Sequence, residues 1–160
     1  MLCWRIARER YADLSGLGGL KNSGRWHCVG HTVLYASTSI ALAALEYAVH
    51  TVERPRDSVL LTIELPNDSV MVIEDFLGGP LPANWPFVED QTQYIGSRWL
   101  ASRASIALRV PSLVIPRETN LILNPMHERF PAVKTLAIEP FFFDPRIFST
   151  GRMPDIPSTE

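Results

Sequence analysis

One apolar helix with a single carboxylate in its middle constrains the fold of this chain more than any other segment. Residues 38–53, TSIALAALEYAVHTVE, are rich in alanine and leucine, and Thr38 or Ser39 can cap the first turn. Glu46 is the only charged side chain between residues 40 and 49, so the helix has no polar face and is expected to be buried. Because a buried carboxylate is costly unless paired, Glu46 needs either a cationic partner, such as a core arginine, or a role with a substrate.

The remaining segments predict an α+β domain rather than a regular alternation of strands and helices. Residues 58–66, SVLLTIELP, are β-branched and leucine-rich and are predicted as a central strand. Residues 90–103 are predicted as a second helix, with Ile95, Trp99 and Leu100 forming its apolar stripe. Further strands are predicted at residues 2–6, 32–37, 69–75, 106–110, 112–116, 120–125 and within 132–148.

Size and composition suit a single globular domain. The chain has 160 residues and a net charge of −2, which favours neither a nucleic-acid partner nor an acidic membrane. The N-terminus, MLCWRIARER, lacks the apolar core of a signal peptide, and the longest apolar run, residues 40–45, is too short to span a bilayer. Only two cysteines are present, Cys3 and Cys28, so a reducing, cytoplasmic location is expected. We expect one domain over residues 1–148, followed by a polar tail over residues 149–160.

Five further side chains stand where a site is commonly built. Arg25 lies in the turn-forming sequence NSGRW, which suits an arginine held in a cleft with the following tryptophan packed beneath it. Arg5 lies in a short apolar strand and also requires an anion, because a guanidinium matches carboxylate or phosphate with two parallel hydrogen bonds. Tyr35 ends a strand just before the apolar helix, and Ser112 and Asn124 lie at strand ends. For each arginine a plain salt bridge is the alternative, and for Tyr35 a place in the core.

Three other patterns are less specific. The glycine-rich segment GLGGLKNSG has Lys21 where a dinucleotide-binding GxGxxG motif needs its last glycine. His27, Cys28 and His31 lie within five residues, but no second ligand pair of recognisable spacing follows, so we expect surface histidines rather than a metal site. The arginines within residues 98–109 predict a solvated face, because no basic patch interleaved with aromatic residues accompanies them.

Four motifs together resemble the RES domain, which is named after characteristic Arg, Glu and Ser positions. They are GGLKNSGRW, TVLYASTSIALAALEYAVH, QYIGSRWLASRASIALRVPSLVIPRETNLILNP and IEPFFFDPRI, and the likeness covers residues 3–147. The loop HCVGHTV departs from the sequence usual in the family, which affects only the expected shape of that loop. The resemblance implies a single domain similar to the ADP-ribosyltransferase fold, with mixed or antiparallel sheets and a few helices.

The resemblance also implies an activity. RES proteins are toxins of type II toxin–antitoxin pairs that cleave the nicotinamide–ribose bond of NAD⁺. The resemblance therefore implies NAD⁺ as the substrate and no metal cofactor. Members differ in the acceptor, which is water, inorganic phosphate or a protein side chain. Carried over by motif, the catalytic positions fall on Glu46, Arg25 and Ser112, and the NAD⁺-binding positions on Arg5, Tyr35 and Asn124.

The family implies a partner as well, a Xre-type helix-turn-helix antitoxin that covers the active site in an oligomeric complex. Several alternatives stay open at this point. The acceptor can be water, phosphate or a cellular protein. From the residues alone, the chain can also be a non-catalytic binding module whose buried arginine and glutamate are structural, or a metal hydrolase that uses His27, Cys28 and His31.

Overall fold

The computed structural model describes residues 1–52 and 55–148, and these residues build one sheet with helices packed on it. The strands are β1 (Leu2–Arg8), β2 (Leu34–Ser37), β3 (Ser58–Glu64), β4 (Val70–Val72), β5 (Ala107–Pro111), β6 (Thr119–Leu123) and β7 (Lys134–Pro140). The helices are α1 (Ile40–Val49), α2 (Ile73–Leu77) and α3 (Glu89–Ser102), with short 3₁₀ turns between elements. The strand order is β4-β5-β6-β2-β1-β3-β7, and only β4 and β5 run parallel. The predicted α+β class is confirmed.

Three predicted strands differ from the structure. The predicted strand over residues 69–75 forms only β4, because residues 73–77 form the helix α2, whose acidic first turn with Glu74 and Asp75 favours a helix N-terminus. The segment 58–66 does form β3, but β3 lies second from one edge of the sheet, between β1 and β7, rather than at its centre. Residues 112–116 form a turn between β5 and β6 instead of a strand. The Ile115 N–H donates to Ser112 Oγ at 2.9 Å and the Glu118 N–H donates to the Ile115 carbonyl at 2.9 Å, so local hydrogen bonds close the chain into a turn.

The centre of the sheet contains a gap. Strands β1 and β2 pair at a single position, where Trp4 lies opposite Ser37, whereas β1 and β3 pair along their whole length. Arg5 reaches across from β1 and donates from Nη1 to the Tyr35 carbonyl of β2 at 3.2 Å. Two central strands that separate in this way leave room for a ligand between them.

The helix α3 packs on the sheet through its predicted stripe. Ile95, Trp99 and Leu100 are buried in a cluster with the tryptophan of the GRW sequence, Trp26. Gly96 makes this packing possible, because a Cβ added there would lie only 1.9 Å from the Trp26 carbonyl oxygen. The glycine in the middle of the helix therefore serves close packing of α3 against the turn that carries Arg25.

The helix α1 is less buried than its composition predicts. Ser39 caps it as predicted, accepting from the Leu42 N–H at 3.1 Å. Leu42 and Ala43 are buried against the sheet, but Leu45 and Val49 are exposed. The expectation of a helix buried on all sides is wrong, since α1 packs on β1 and β2 with one face and no element within residues 1–52 or 55–148 covers its outer face.

Two further sequence expectations concern the C-terminal tail and the membrane. The predicted tail, residues 149–160, lies outside the described residues. Across residues 1–52 and 55–148, no helix has both the length and the hydropathy needed to cross a membrane.

Candidate active site

A cleft of about 1200 Å³ opens where β1 and β2 separate. Its walls come from β1, β2, α1, the loop that precedes β2, and the end of β5 with the following turn and β6. Four of the six predicted site residues line it together: Arg5, Arg25, Tyr35 and Glu46. The fold thus brings Arg5 and Glu46, which are 41 residues apart in the sequence, to the same cleft.

Glu46 is held by neutral donors rather than by a cation. Its Oε1 accepts from Ser112 Oγ at 2.7 Å and from Asn120 Nδ2 at 2.5 Å. Asn120 is in turn fixed by Ser37, whose Oγ donates to Asn120 Oδ1 at 2.7 Å. Within the described residues no lysine, arginine or histidine nitrogen lies within 4.0 Å of the Glu46 carboxylate, and no hydrogen bond reaches its Oε2. Among the described residues, Glu46 therefore has no ion pair.

Ser112 is placed to orient Glu46. It is fully buried at the end of β5, and its backbone N–H donates to the Glu118 carbonyl at 2.9 Å. Its Oγ accepts from the Ile115 N–H, so its own hydrogen is directed to Glu46 Oε1. The tight turn after β5 thus fixes both the position of Ser112 and the direction in which its hydroxyl donates.

The sequence patterns do not single out Asn120, whereas they predict that Asn124 binds NAD⁺. Asn124 is buried outside the cleft: its Nδ2 donates to the Leu100 carbonyl at 2.8 Å, and its Oδ1 accepts from the Met126 N–H at 3.0 Å. Both ends of its amide hold loops together, so the structure does not bring Asn124 together with the predicted site residues that line the cleft. An asparagine inside a strand is unusual, and that signal was available at Asn120.

The turn that carries Arg25 is fixed from several directions. Gly24 and His27 exchange backbone hydrogen bonds of 3.0 and 3.3 Å across it, and Trp26 is buried beneath it, as predicted. The Arg25 carbonyl accepts from Thr92 Oγ1 of α3 at 2.7 Å. The turn therefore holds the arginine against the body of the domain.

The Arg25 guanidinium contacts carbonyls and an aromatic ring, not a carboxylate. Its Nη2 donates to the Trp85 carbonyl at 2.8 Å and to the Pro86 carbonyl. The Cζ atom of the guanidinium lies 5.6 Å from the centre of the Trp85 ring. Its Nε is buried without a hydrogen-bond partner. No carboxylate in the described part of the chain forms a salt bridge with it, so its positive charge is not neutralised.

Arg5 carries a second charge in the same cleft. Its one hydrogen bond goes to the Tyr35 carbonyl, and its Nε is buried without a partner. Burial lowers the pKa of the Arg5 guanidinium, while the negative charge of Asp13 acts in the opposite direction. Arg5 likewise has no salt bridge within the described part of the chain, since no carboxylate oxygen there lies within 4.0 Å of its guanidinium. A buried guanidinium with unused donors is suited to bind an anion.

Tyr35 holds the Arg25 turn through its hydroxyl. The oxygen accepts from the Trp26 N–H at 3.1 Å and lies 2.7 Å from His27 Nδ1. His27 Nε2 lies 2.9 Å from the Asn22 carbonyl, which can only accept, so Nε2 carries the proton and Nδ1 accepts from the Tyr35 hydroxyl. Burial raises the pKa of Tyr35 and lowers the pKa of His27, so both stay neutral in this contact. The Tyr35 hydroxyl is therefore used by the fold, and only its ring is left for a ligand.

Of the two histidines expected at the surface, His27 is buried and His31 is partly exposed. Both ring nitrogens of His27 are satisfied, by Tyr35 and by the Asn22 carbonyl, and the neighbouring Cys28 is exposed. Among the described residues no group of three or more His, Cys, Asp or Glu side chains is arranged to hold a metal ion.

The fold and the cleft define a single-domain α+β protein with a carboxylate and two arginines in one cavity. The sequence matches the family described as "RES domain" over residues 2–144, and the chain belongs to this family. The resemblance seen in the sequence motifs is confirmed.

Relatives over almost the full length carry toxin names. The chain is 41% identical to "Toxin Res" of Pseudomonas putida, over 92% of this chain and all of that protein. It is 36% identical to "Prs ADP-ribosylating toxin" of Sphingobium sp., over 90% of this chain and 94% of that protein. Among solved structures, the "M.tuberculosis MbcT-MbcA toxin-antitoxin complex" contains a chain of similar fold, with a TM-score of 0.68, 16% identity, and coverage of 92% of this chain and 86% of that chain.

Proposed function

We propose that this protein is a bacterial toxin of a toxin–antitoxin pair that breaks the nicotinamide–ribose bond of NAD⁺. The observation that carries the proposal is the state of Glu46: a carboxylate in a cleft, fixed by two neutral donors and left without a cation. A purely structural carboxylate in such a place would be expected to have a cationic partner. Family membership and the toxin names of its relatives support the same conclusion.

The chemistry needs a fixed negative charge. As the bond to nicotinamide breaks, positive charge develops on the ribose ring, as in glycoside hydrolysis. A preorganised carboxylate beside that ring stabilises the charge without having to reorient. Ser112 and Asn120 both bond Glu46 Oε1, which leaves Oε2 for the ribose or the attacking group.

The arginines supply the complementary binding site. NAD⁺ carries a pyrophosphate, and Arg5 and Arg25 line the same cleft with buried, unused Nε groups and no carboxylate partner. We assign the pyrophosphate to these two side chains. The Tyr35 ring, whose hydroxyl is already bonded, is assigned to packing against ribose or nicotinamide. Asn124 has no role in this assignment.

The deciding experiment measures free nicotinamide released from NAD⁺ by the purified protein and by Glu46→Gln. The glutamine keeps an oxygen that can accept from Ser112 and Asn120, so it removes the charge and preserves the contacts. We expect release to fall by about 10²–10³-fold. The matched control is Glu139→Gln, an exposed carboxylate on β7 outside the cleft, which should release nicotinamide at the wild-type rate.

Two outcomes would reject the proposal. One is a folded Glu46→Gln protein with turnover near wild type, which would leave Glu46 without a catalytic role. The other is wild-type protein that releases no nicotinamide in buffer, with phosphate or with bacterial extract, which would favour the non-catalytic binding module. Release that requires phosphate would identify phosphorolysis, and release without it hydrolysis.

A second candidate is transfer of ADP-ribose to a cellular protein. The name of the Sphingobium relative, an ADP-ribosylating toxin, favours it.

The proposed partner is an antitoxin of the Xre helix-turn-helix type that covers the cleft in an oligomeric complex within the cytoplasm. The fold shared with a chain of a toxin–antitoxin complex supports an antitoxin as the partner, and the Xre type follows from the family resemblance alone.

A further inference from the structure

A short 3₁₀ turn, Trp85–Phe87, holds the guanidinium of Arg25. The Trp85 and Pro86 carbonyls both accept from Arg25 Nη2, and the centre of the Trp85 ring lies 5.6 Å from the guanidinium carbon. The same ring stacks on the buried Trp26, with 5.7 Å between the ring centres and 29° between the planes. Trp85 therefore contacts both the charged end of Arg25 and the tryptophan beneath the Arg25 turn.

We propose that Trp85 is a positioning residue, which holds the Arg25 guanidinium in the orientation that binds the pyrophosphate of NAD⁺. This inference rests on the proposed function, in which Arg25 binds that pyrophosphate. Trp85 does not line the cleft, whereas Arg25 does. Trp85 therefore acts on the ligand through the arginine and not by touching the ligand itself.

The way in which the donors of Arg25 are used is the first argument. Nη2 is held by two carbonyls, and Nε is buried without a partner. Nη1 makes no hydrogen bond within the described residues and, unlike Nε, is not buried. Because Nη2 is tied to the turn, the guanidinium is not free to rotate, and Nη1 stays available as a charged donor to an anion in the cleft.

The rigidity of the turn is the second argument. The Trp85 N–H donates to the Pro82 carbonyl at 3.0 Å. The Phe87 N–H donates to the Asn84 carbonyl at 3.0 Å, and the ring of Pro86 fixes the backbone between them. An arginine side chain loses rotamer freedom when it binds an anion, which weakens binding. A rigid turn that already orders the guanidinium removes most of this loss.

The test measures binding and turnover separately. Binding of ADP-ribose, which carries the pyrophosphate but no nicotinamide, is followed by titration calorimetry, and nicotinamide release from NAD⁺ gives kcat and KM. The variants are Trp85→Leu, which removes the aromatic ring, and Trp85→Phe, which keeps a smaller one. The matched control is Phe87→Leu, since Phe87 lies on the same turn but is 88% exposed. Thermal unfolding checks that each protein is folded.

We expect the Kd for ADP-ribose to rise about fivefold in Trp85→Leu, with a similar rise in KM and little change in kcat, because the cation–π contact that orders Arg25 is lost. Trp85→Phe should raise the Kd only about twofold, since a phenyl ring attracts a cation less strongly than indole does. Phe87→Leu should bind as wild type does. In an Arg25→Gln background, Trp85→Leu should change the Kd no further, because it acts through the guanidinium.

Three results would overturn the inference and leave NAD⁺ cleavage standing. They are wild-type affinity in Trp85→Leu, a fall in kcat with unchanged affinity, and the same loss of affinity in the Arg25→Gln background, which would show a structural role that is independent of the arginine. If Trp85→Leu does not fold, wild-type affinity in Trp85→Phe would overturn the inference in its place. A wild type that neither binds ADP-ribose nor releases nicotinamide would instead reject the proposed function, and this inference with it.

Discussion

The two sides of the cleft are built in opposite ways. On the Arg25 side, a tight turn is fixed by Tyr35, His27, Thr92 and the close approach of Gly96, so the polar groups that hold the turn are used by the fold, and within the described residues only the Arg25 Nε of this turn is buried without a partner. On the other side, the Glu46 carboxylate receives two neutral hydrogen bonds at one oxygen, and the helix that carries it is exposed along its outer face. The difference teaches that one side sets the shape of the cleft, while the other keeps a charge available for chemistry. Changes on the first side should therefore act on stability, and changes on the second on turnover.

The largest effect is expected where α3 meets the Arg25 turn. Gly96→Ala places a Cβ against the Trp26 carbonyl, and neither backbone can move away without breaking the packing of α3. We expect a loss of about 3 kcal/mol in the free energy of unfolding, measured by urea denaturation. Gly79→Ala is the matched control, since an added Cβ there meets nothing within 4 Å. Equal stability of the two variants would show that the Arg25 side is not held by this contact.

The Glu46 side is tested by Asn120→Ala. The change removes one of the two donors to Glu46, and hydrogen bonds to a charged group are worth about 1.5–3 kcal/mol, which corresponds to roughly 10- to 100-fold in rate. We expect kcat for nicotinamide release to fall by about that factor with little change in KM, because Asn120 positions Glu46 and contacts neither arginine.

The control for this variant is Asn67→Ala, which removes an exposed asparagine outside the cleft. A rise in KM with unchanged kcat would contradict a positioning role and would place Asn120 in binding of NAD⁺ instead. A fall in stability without any kinetic change would reduce Asn120 to a link between β2 and β6.

Local chemistry was enough to predict one part of this site. The NSGRW sequence predicts a turn with Arg25 above a buried tryptophan, and the apolar composition of α1 predicts a helix with Ser39 at its cap. Each of these depends on residues that are close in sequence. Because a lone carboxylate in an apolar helix is costly without a partner, the sequence also predicts that Glu46 needs either a cation or a role with a substrate.

The position of Asn120 beside Glu46 could not be predicted from local sequence, because it depends on the pairing of strands that are far apart in the chain. Asn120 and Asn124 are four residues apart, and only the register of β2 with β6, which sets Ser37 opposite Asn120, decides which asparagine reaches Glu46. In the same way, His27 is buried because Tyr35 of β2 meets its Nδ1. The exposure of Val49 depends on what covers α1, which no local pattern reports.

A smaller loss of stability is expected from Tyr35→Phe on the Arg25 side. The change removes one hydroxyl and leaves the Trp26 N–H and His27 Nδ1 without their partner, at a cost of about 1–3 kcal/mol. Circular dichroism during heating should show a lower midpoint than for Tyr94→Phe, whose tyrosine is exposed. If the two variants melt at the same temperature, the Tyr35 hydroxyl does not hold the turn.

The smallest expected effect is a pH dependence of stability that arises from the contact between His27 and Tyr35. Burial lowers the pKa of His27 below its ordinary value of 6.5, although the hydrogen bond to the Asn22 carbonyl acts in the opposite direction and His31 adds to the lowering. Between that lowered pKa and 6.5 the unfolded chain binds more protons than the folded one, so stability falls as the pH falls through this window and levels off below it. Protonation of Nδ1 would also take away the acceptor to which the Tyr35 hydroxyl donates.

Free energies of unfolding measured from pH 8 to pH 5 should therefore decline more steeply in wild type than in His27→Gln, which has no group that titrates at this position. Parallel curves would mean that His27 is protonated equally in both states, and that the Arg25 side of the cleft does not depend on a neutral histidine.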